Sequence, residues 1–239
     1  AGTPLTVNFT FEDTSPPAPT PGAYIESNGL IVMEAESAPN NPSFWLFDNS
    51  ASGFSGTGYY EGLQNFFTTP GNGILEYPIT VSNTGDYQLQ WRSRILEGTE
   101  FTESNDSWAR LVDDMGNPVT PVPNNLEPNG TWYKIFMSTF GSWNWKSSNH
   151  DNVTQAVRWN LQAGQNYTFQ ISVRSRGHAI DRIVLWNTGG GFGYNFGDIN
   201  GEPNNTATLD GLAESARTGS STNTAPTVSS ISNQVNDEG

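Results

Sequence analysis

The stretch Arg174-Ser-Arg-Gly-His-Ala-Ile-Asp-Arg-Ile-Val-Leu-Trp186 closes the last strongly patterned part of the chain. Its second half alternates like a strand, in which every other residue shares a face. Ala179, Asp181, Ile183 and Leu185 therefore fall on one side, and His178, Ile180, Arg182 and Val184 on the other. By that parity Asp181 shares a face with core residues. An isolated buried charge is too costly to stand alone, so Asp181 must be ion-paired, hydrogen-bonded or bound to a metal.

Working outward, the same short-strand pattern recurs. Leu30 to Glu36 starts apolar and ends with two carboxylates at i and i+2, on one face. Ile74 to Val81 leads through the turn signal Asn83-Thr-Gly-Asp86 into Tyr87 to Ile95, where Tyr87, Leu89, Trp91, Ser93 and Ile95 face one way. Ser107 to Val112, Trp132 to Met137, Gln155 to Leu161 and Tyr167 to Arg176 continue it, while residues 38–73 read as long loops around short strands. Only Ala207 to Arg217 looks helical, and it is short. This spacing predicts an all-β fold, an antiparallel β-sandwich of jelly-roll type with long loops.

The flanks differ in composition. Residues 1–22 end in Ser15-Pro-Pro-Ala-Pro-Thr-Pro-Gly22, a Pro-rich, semi-rigid leader. The β-sandwich is expected over residues 23–188 and a Gly-rich extension over 189–222. Residues 223–239 read as the start of an immunoglobulin-like or cadherin-like repeat, as in a piece of a larger modular protein.

Charge excludes several functions. With 10 basic and 24 acidic residues, the formal net charge of -14 makes the whole chain a poor nucleic-acid or anionic-membrane binder. The distribution is uneven: residues 1–91 hold nine acids and no Lys or Arg, whereas residues 92–182 hold nine of each sign. There is no cysteine to form a disulfide, and no apolar run long enough to insert into a membrane. Abundant Asn, Thr, Ser and Gly with few Lys suits an extracellular or cell-surface bacterial protein.

In order along the chain, Met33-Glu-Ala-Glu36, Gly58-Tyr59, Thr84-Gly-Asp-Tyr87, a Trp-rich loop, Ala163-Gly with Tyr167, and Ile180-Asp181 resemble the carbohydrate-binding module family 6 and family 35 group. The resemblance covers roughly residues 24–187. It implies a galactose-binding-like β-sandwich without catalytic activity, usually with a structural calcium. On that resemblance Glu34, Glu36 and Asp181 would hold the calcium, an ion that takes six to eight oxygen ligands. The alternative leaves Glu34 and Glu36 solvated and pairs Asp181 with Arg92 or Arg182. Zinc is disfavoured by the lack of Cys and the presence of only two His.

Sugar rings present C–H faces that pack on aromatic side chains and leave edge hydroxyls for hydrogen bonds. The resemblance points to Tyr59 or Tyr60 and to Trp143 or Trp145 as the stacking residues. The family's Asn before Ile-Asp is Ala179 here, so His178 is the replacement candidate. Asn105 and Trp108 are further ligand candidates. Arg92, Arg94, Arg158, Arg174 and Arg176 fall on the polar parity of their strands. They form either a solvated outer face or a surface for an acidic or sulfated polysaccharide.

No pair of acids is marked as a glycosidase pair, and no Gly-x-Ser-x-Gly, nucleophilic Cys or phosphate loop occurs. The expected function is noncatalytic binding of a polysaccharide or oligosaccharide by a monomeric module within a larger chain. The alternative is an adhesin module binding cell-surface glycan or protein.

Overall fold

The computed structural model describes residues 22–219, apart from 41, 42, 123–125, 127, 150, 152 and 190. The leader up to residue 21 and the expected repeat at 223–239 lie outside the described residues.

In chain order the strands are β1 (Tyr24–Ile25), β2 (Leu30–Glu34), β3 (Trp45–Asp48), β4 (Tyr59–Gly62), β5 (Ile74–Thr80), β6 (Gly85–Ile95), β7 (Asp106–Asp113), β8 (Pro121–Val122), β9 (Pro128–Asn129), β10 (Trp132–Phe136), β11 (Ser148–Asn149), β12 (Gln155–Ala156), β13 (Arg158–Leu161), β14 (Asn166–Val173) and β15 (His178–Asn187). One sheet runs β1-β5-β14-β7-β10-β11-β12, with β9 also on β10; the other runs β3-β4-β15-β6-β13-β8, with β2 also on β15. All pairings are antiparallel except β1 with β5. The helical expectation over 207–217 shrinks to a five-residue helix, α1 (Thr206–Asp210).

The two sheets close on one apolar core. Ile31 and Met33 of β2, Leu89 and Trp91 of β6, and Ile183 and Leu185 of β15 meet Leu75, Tyr77, Phe169 and Ile171 from the other sheet. Trp159 of β13 packs edge-on against Phe169 of β14 at 5.9 Å, joining the layers. Each fully buried large side chain contributes about 1.5–3 kcal/mol, so the sandwich rests on this interior.

β15 departs from simple alternation. Its register against β6 shifts between Ile180, opposite Ser93, and Arg182, opposite Arg92, so Asp181 is the extra residue of a β-bulge. The bulge inverts the parity expected from the sequence. Ile180 joins Ile183 and Leu185 in the main core, and Asp181 leaves it for the outer side of the sheet with Arg92.

A second correction concerns the stretch after Asn187. Phe196 and Leu209 pack with Trp145, Val32, Val184 and Trp186 in a second apolar cluster on the outer face of the smaller sheet. Arg217 is buried against Tyr24, and Thr218 N–H bonds back to Ala23 O at 2.8 Å. Residues 194–218 are thus part of the packed body, covering apolar surface that alternation alone assigned to solvent. The Asp198–Glu202 segment is a plain loop, closed by Asn200 and Glu202 N–H groups donating to Asp198 Oδ1 at 2.8 and 3.0 Å.

Candidate functional site

The bulge brings the acidic residues singled out in the sequence to one place. Arg92 Nη1 donates to Asp181 Oδ2 at 2.5 Å and to Gly53 O at 2.8 Å. Arg182 binds Glu34 Oε1, its Nε at 2.8 Å, and also donates to Leu212 O at 2.9 Å. Ser55, from the loop between β3 and β4, bridges the two acids: its hydroxyl lies 2.9 Å from Glu34 Oε2 and 3.1 Å from Asp181 Oδ1. Glu36 Oε1 accepts the Thr57 N–H at 2.6 Å, whereas its Oε2 is buried without a partner.

Burial pushes the Glu36 carboxyl up to about 8, helped by the nearby Glu34 and Asp181 charges and opposed by the Thr57 N–H. Burial likewise raises Asp181 to about 6, against the lowering by Arg92. Among the described residues, no three acidic or histidine side chains are already gathered as a metal-holding group. The cluster instead pairs two of its three carboxylates with guanidiniums, so the pairing alternative read from the sequence is present here for Asp181 with Arg92. The residues still fit calcium in their chemistry. They are hard oxygen donors, and Glu36 keeps one buried oxygen unused.

The aromatic candidates separate. Tyr60 is in the main core and Trp145 in the second cluster, its Nε1 donating to Asp210 at 2.9 Å, so neither presents a face to a ligand. Tyr59 is buried, with its hydroxyl on Asp48 Oδ2 at 2.6 Å. Trp143, partly exposed, caps it edge-to-face with ring centroids 5.1 Å apart, so nothing stands between the two rings. Arg92 and Arg94 flank Trp143 at 5.7 and 5.9 Å. His178 has no solvent exposure; its Nδ1 meets Ser107 Oγ at 2.8 Å and its ring tilts against Trp91. It sits in the interior and presents no ring face to solvent.

Nor do the arginines share a face. Arg92, Arg94 and Arg158 belong to the smaller sheet, whereas Arg174 and Arg176 follow β14 of the larger one. Arg176 is paired with Glu97 at 2.9 Å.

An open cleft lies at the Arg174 end of the sandwich, where the loops before β5, β7 and β15 meet. Two adjoining cavities of about 300 Å³ each share Thr102, Asn105, Asp106 and Arg174. The exposed rings of Phe67 and Phe101, 51% and 54% accessible, stand on its rim. Arg174 lies 5.2 Å over Phe67 and 5.1 Å over Trp108, and is ion-paired with Asp106, which Ser175 also binds. Asn105 is fixed by donating to Met137 O at 2.6 Å. Lys134, paired with Asp151, closes the far wall.

Of the residues expected from the sequence, Asn105 lines this cleft and Trp108 a third cavity that shares Arg174 and Lys134 with it. Phe67 and Phe101 were missed. Each is an aromatic stranded among Thr, Asn, Gly and Glu in a loop, which is a usable signal, but nothing local says that positions so far apart in the chain converge.

Neither the scan against family models nor the search of curated proteins finds a match. Several solved structures are similar. A GH26-CBM35 β-(1,4)-mannanase from Podospora anserina shares 22% identity over 68% of this chain, with a TM-score of 0.45. This chain spans 28% of that enzyme's length. A CBM35 from Paenibacillus barcinonensis and a family 35 carbohydrate-binding module from Clostridium thermocellum each share 16% identity, covering 66% of this chain and 98% of theirs, at TM-score 0.42.

Proposed function

We propose that the chain is a noncatalytic carbohydrate-binding module that holds a glycan in the Arg174 cleft. One observation carries this reading: the exposed rings of Phe67 and Phe101 rim a cavity whose floor is the fixed polar pair Asn105 and Asp106. Rings of this kind take the C–H face of a sugar, and a small set of oriented polar groups takes its hydroxyls. The motif order Glu34-x-Glu36, Gly58-Tyr59 and Ile180-Asp181 supports the same class.

The charge balance favours a neutral glycan over an acidic or sulfated one. Both cations of the cleft, Arg174 and Lys134, already have carboxylate partners, and the chain as a whole carries -14. An extracellular setting is part of the proposal; among the described residues no helix is long and apolar enough to cross a membrane. A structural calcium also belongs to it, held by Glu34, Glu36 and Asp181. The ion would meet the buried Glu36 Oε2, the one oxygen of that carboxyl without a partner, and this chain's own residues position the carboxylates through Ser55 and Thr57.

Affinity electrophoresis through gels of neutral and anionic polysaccharides tests the reading. A neutral polysaccharide should retard the protein, and Phe67→Ala and Phe101→Ala should each weaken retention about 10-fold, the effect of losing roughly 1.4 kcal/mol of stacking and contact. Unchanged retention in both variants, or no retention by any glycan, would refute it.

A further inference from the structure

We infer that the opposite end of the sandwich carries a second glycan groove, built from Asp86, Asn160, Thr188 and Phe192 over the buried amide of Asn187 and suited to a neutral sugar chain. The inference rests on the glycan-binding reading above but uses none of its residues. β15 begins beside the Arg174 cleft and ends at Asn187, so its ten residues separate the two places by about 30 Å.

The groove is open and holds about 480 Å³. Its polar groups are fixed before any ligand arrives. Asn160 Nδ2 donates to Asp86 Oδ1 at 2.7 Å, Gly189 N–H donates to Asn187 Oδ1 at 2.9 Å, and Thr188 Oγ1 donates to Asp86 O at 3.1 Å. Asp86 Oδ2 has no partner among the described residues and is left to accept from hydroxyls. Two glycines give the close approach this needs. A Cβ at Gly85 would lie 2.3 Å from Asn187 Nδ2, and one at Gly29 would lie 2.8 Å from the Phe192 ring.

Beside these polar groups Phe192 lines the groove, at the end of a row of rings that leads away from it. Phe192 stacks on Tyr194 with centroids 6.3 Å apart and planes within 8°, and Tyr194 stacks on Phe196 at 5.1 Å and 23°. Phe196 is buried in the second apolar cluster and anchors the row, while Phe192 and Tyr194 remain partly exposed. The Asn160 amide and the Asp86 carboxylate beside the Phe192 ring suit a sugar, which lays its C–H face on a ring and its hydroxyls on polar groups. Among the described residues no Lys or Arg lines the groove, and Asp86 lines it, so an anionic chain is repelled. Together the two ends would grip one polysaccharide twice and raise retention without any new contact.

The test is a nuclear magnetic resonance titration of the full ¹⁵N-labelled chain with cellohexaose, mannohexaose and xylohexaose, following the side-chain amides of Asn105, Asn160 and Asn187. With a binding hexasaccharide all three should shift, and Phe192→Ala should weaken the Asn160 and Asn187 response at least 10-fold while leaving Asn105 unchanged. Shifts at Asn105 alone would overturn the second groove and leave the first cleft standing. Shifts at Asn160 and Asn187 alone would overturn the Arg174 cleft and keep the groove. No shift at any of the three would overturn both.

Discussion

Arg92 and Asp181 meet at 2.5 Å on the outer side of the smaller sheet, a guanidinium against a carboxylate with no solvent exposure. The contact exists because the bulge at Asp181 turns that side chain out of the core and toward β6. Removing one partner of such a pair leaves an uncompensated buried charge. Arg92→Ala is therefore expected to lower the unfolding free energy by about 3 kcal/mol, read from the urea midpoint at constant m-value. A loss below about 1 kcal/mol would mean that the pair contributes no more than a surface bridge.

Glu36 gives a test of the calcium proposal that does not depend on glycan binding. Its carboxylate is buried with one oxygen unpartnered, and burial raises its pKa to about 8. An acid whose folded pKa is raised destabilises the fold as pH climbs from its ordinary 4.5 through that value. In EDTA at pH 8, Glu36→Gln should therefore melt at the same temperature as the wild type or higher. Millimolar calcium should raise the wild-type melting temperature and leave Glu36→Gln unmoved. An equal calcium response in both proteins would remove Glu36 from the site, and no response in either would remove the metal.

Period-two alternation was enough to read the strands that cross both sheets. Tyr87 to Ile95 lies within β6, and the strand expected over Tyr167 to Arg176 is β14, which ends at Val173. It failed at Asp181, because a bulge is a one-residue slip that leaves no mark in the hydrophobic pattern of a strand buried on both faces. That double burial has the same origin as the misread extension. Val184 and Trp186 looked outward only until Phe196 and Leu209 were found to cover them. At the candidate site, Tyr60, Trp145 and His178 had the right residue types for sugar contact but occupy interior positions, a distinction set by the packing of distant segments. Phe67, Phe101 and Arg174 come from three loops whose meeting depends on the whole topology.

The covering segment should behave as core. Leu209 is fully buried although its helix has only five residues, too few to be stable by hydrogen bonding alone. Leu209→Ala should cost about 2–4 kcal/mol by denaturant unfolding, and Phe196→Ala a similar amount. A cost near zero in both would show that residues 194–218 lie loosely on the sheet.

His178 sets the response of the fold to acid. Burial alone holds its pKa down at about 3, against an ordinary 6.5. Below pH 6.5 the unfolded chain therefore takes up a proton that the folded one refuses, and stability falls as the solution is acidified through that window. Each pH unit can cost up to about 1.4 kcal/mol from this single group. The raised carboxyls of Glu36 and Asp181 act in the opposite direction, so the wild-type profile alone mixes the three. His178→Gln isolates one of them, because the variant keeps a polar group near Ser107 but cannot be protonated. The stability difference, wild type minus variant, should shrink by about 3 kcal/mol between pH 7 and pH 4 in matched urea titrations. Two parallel profiles would show that His178 is not held neutral in the interior.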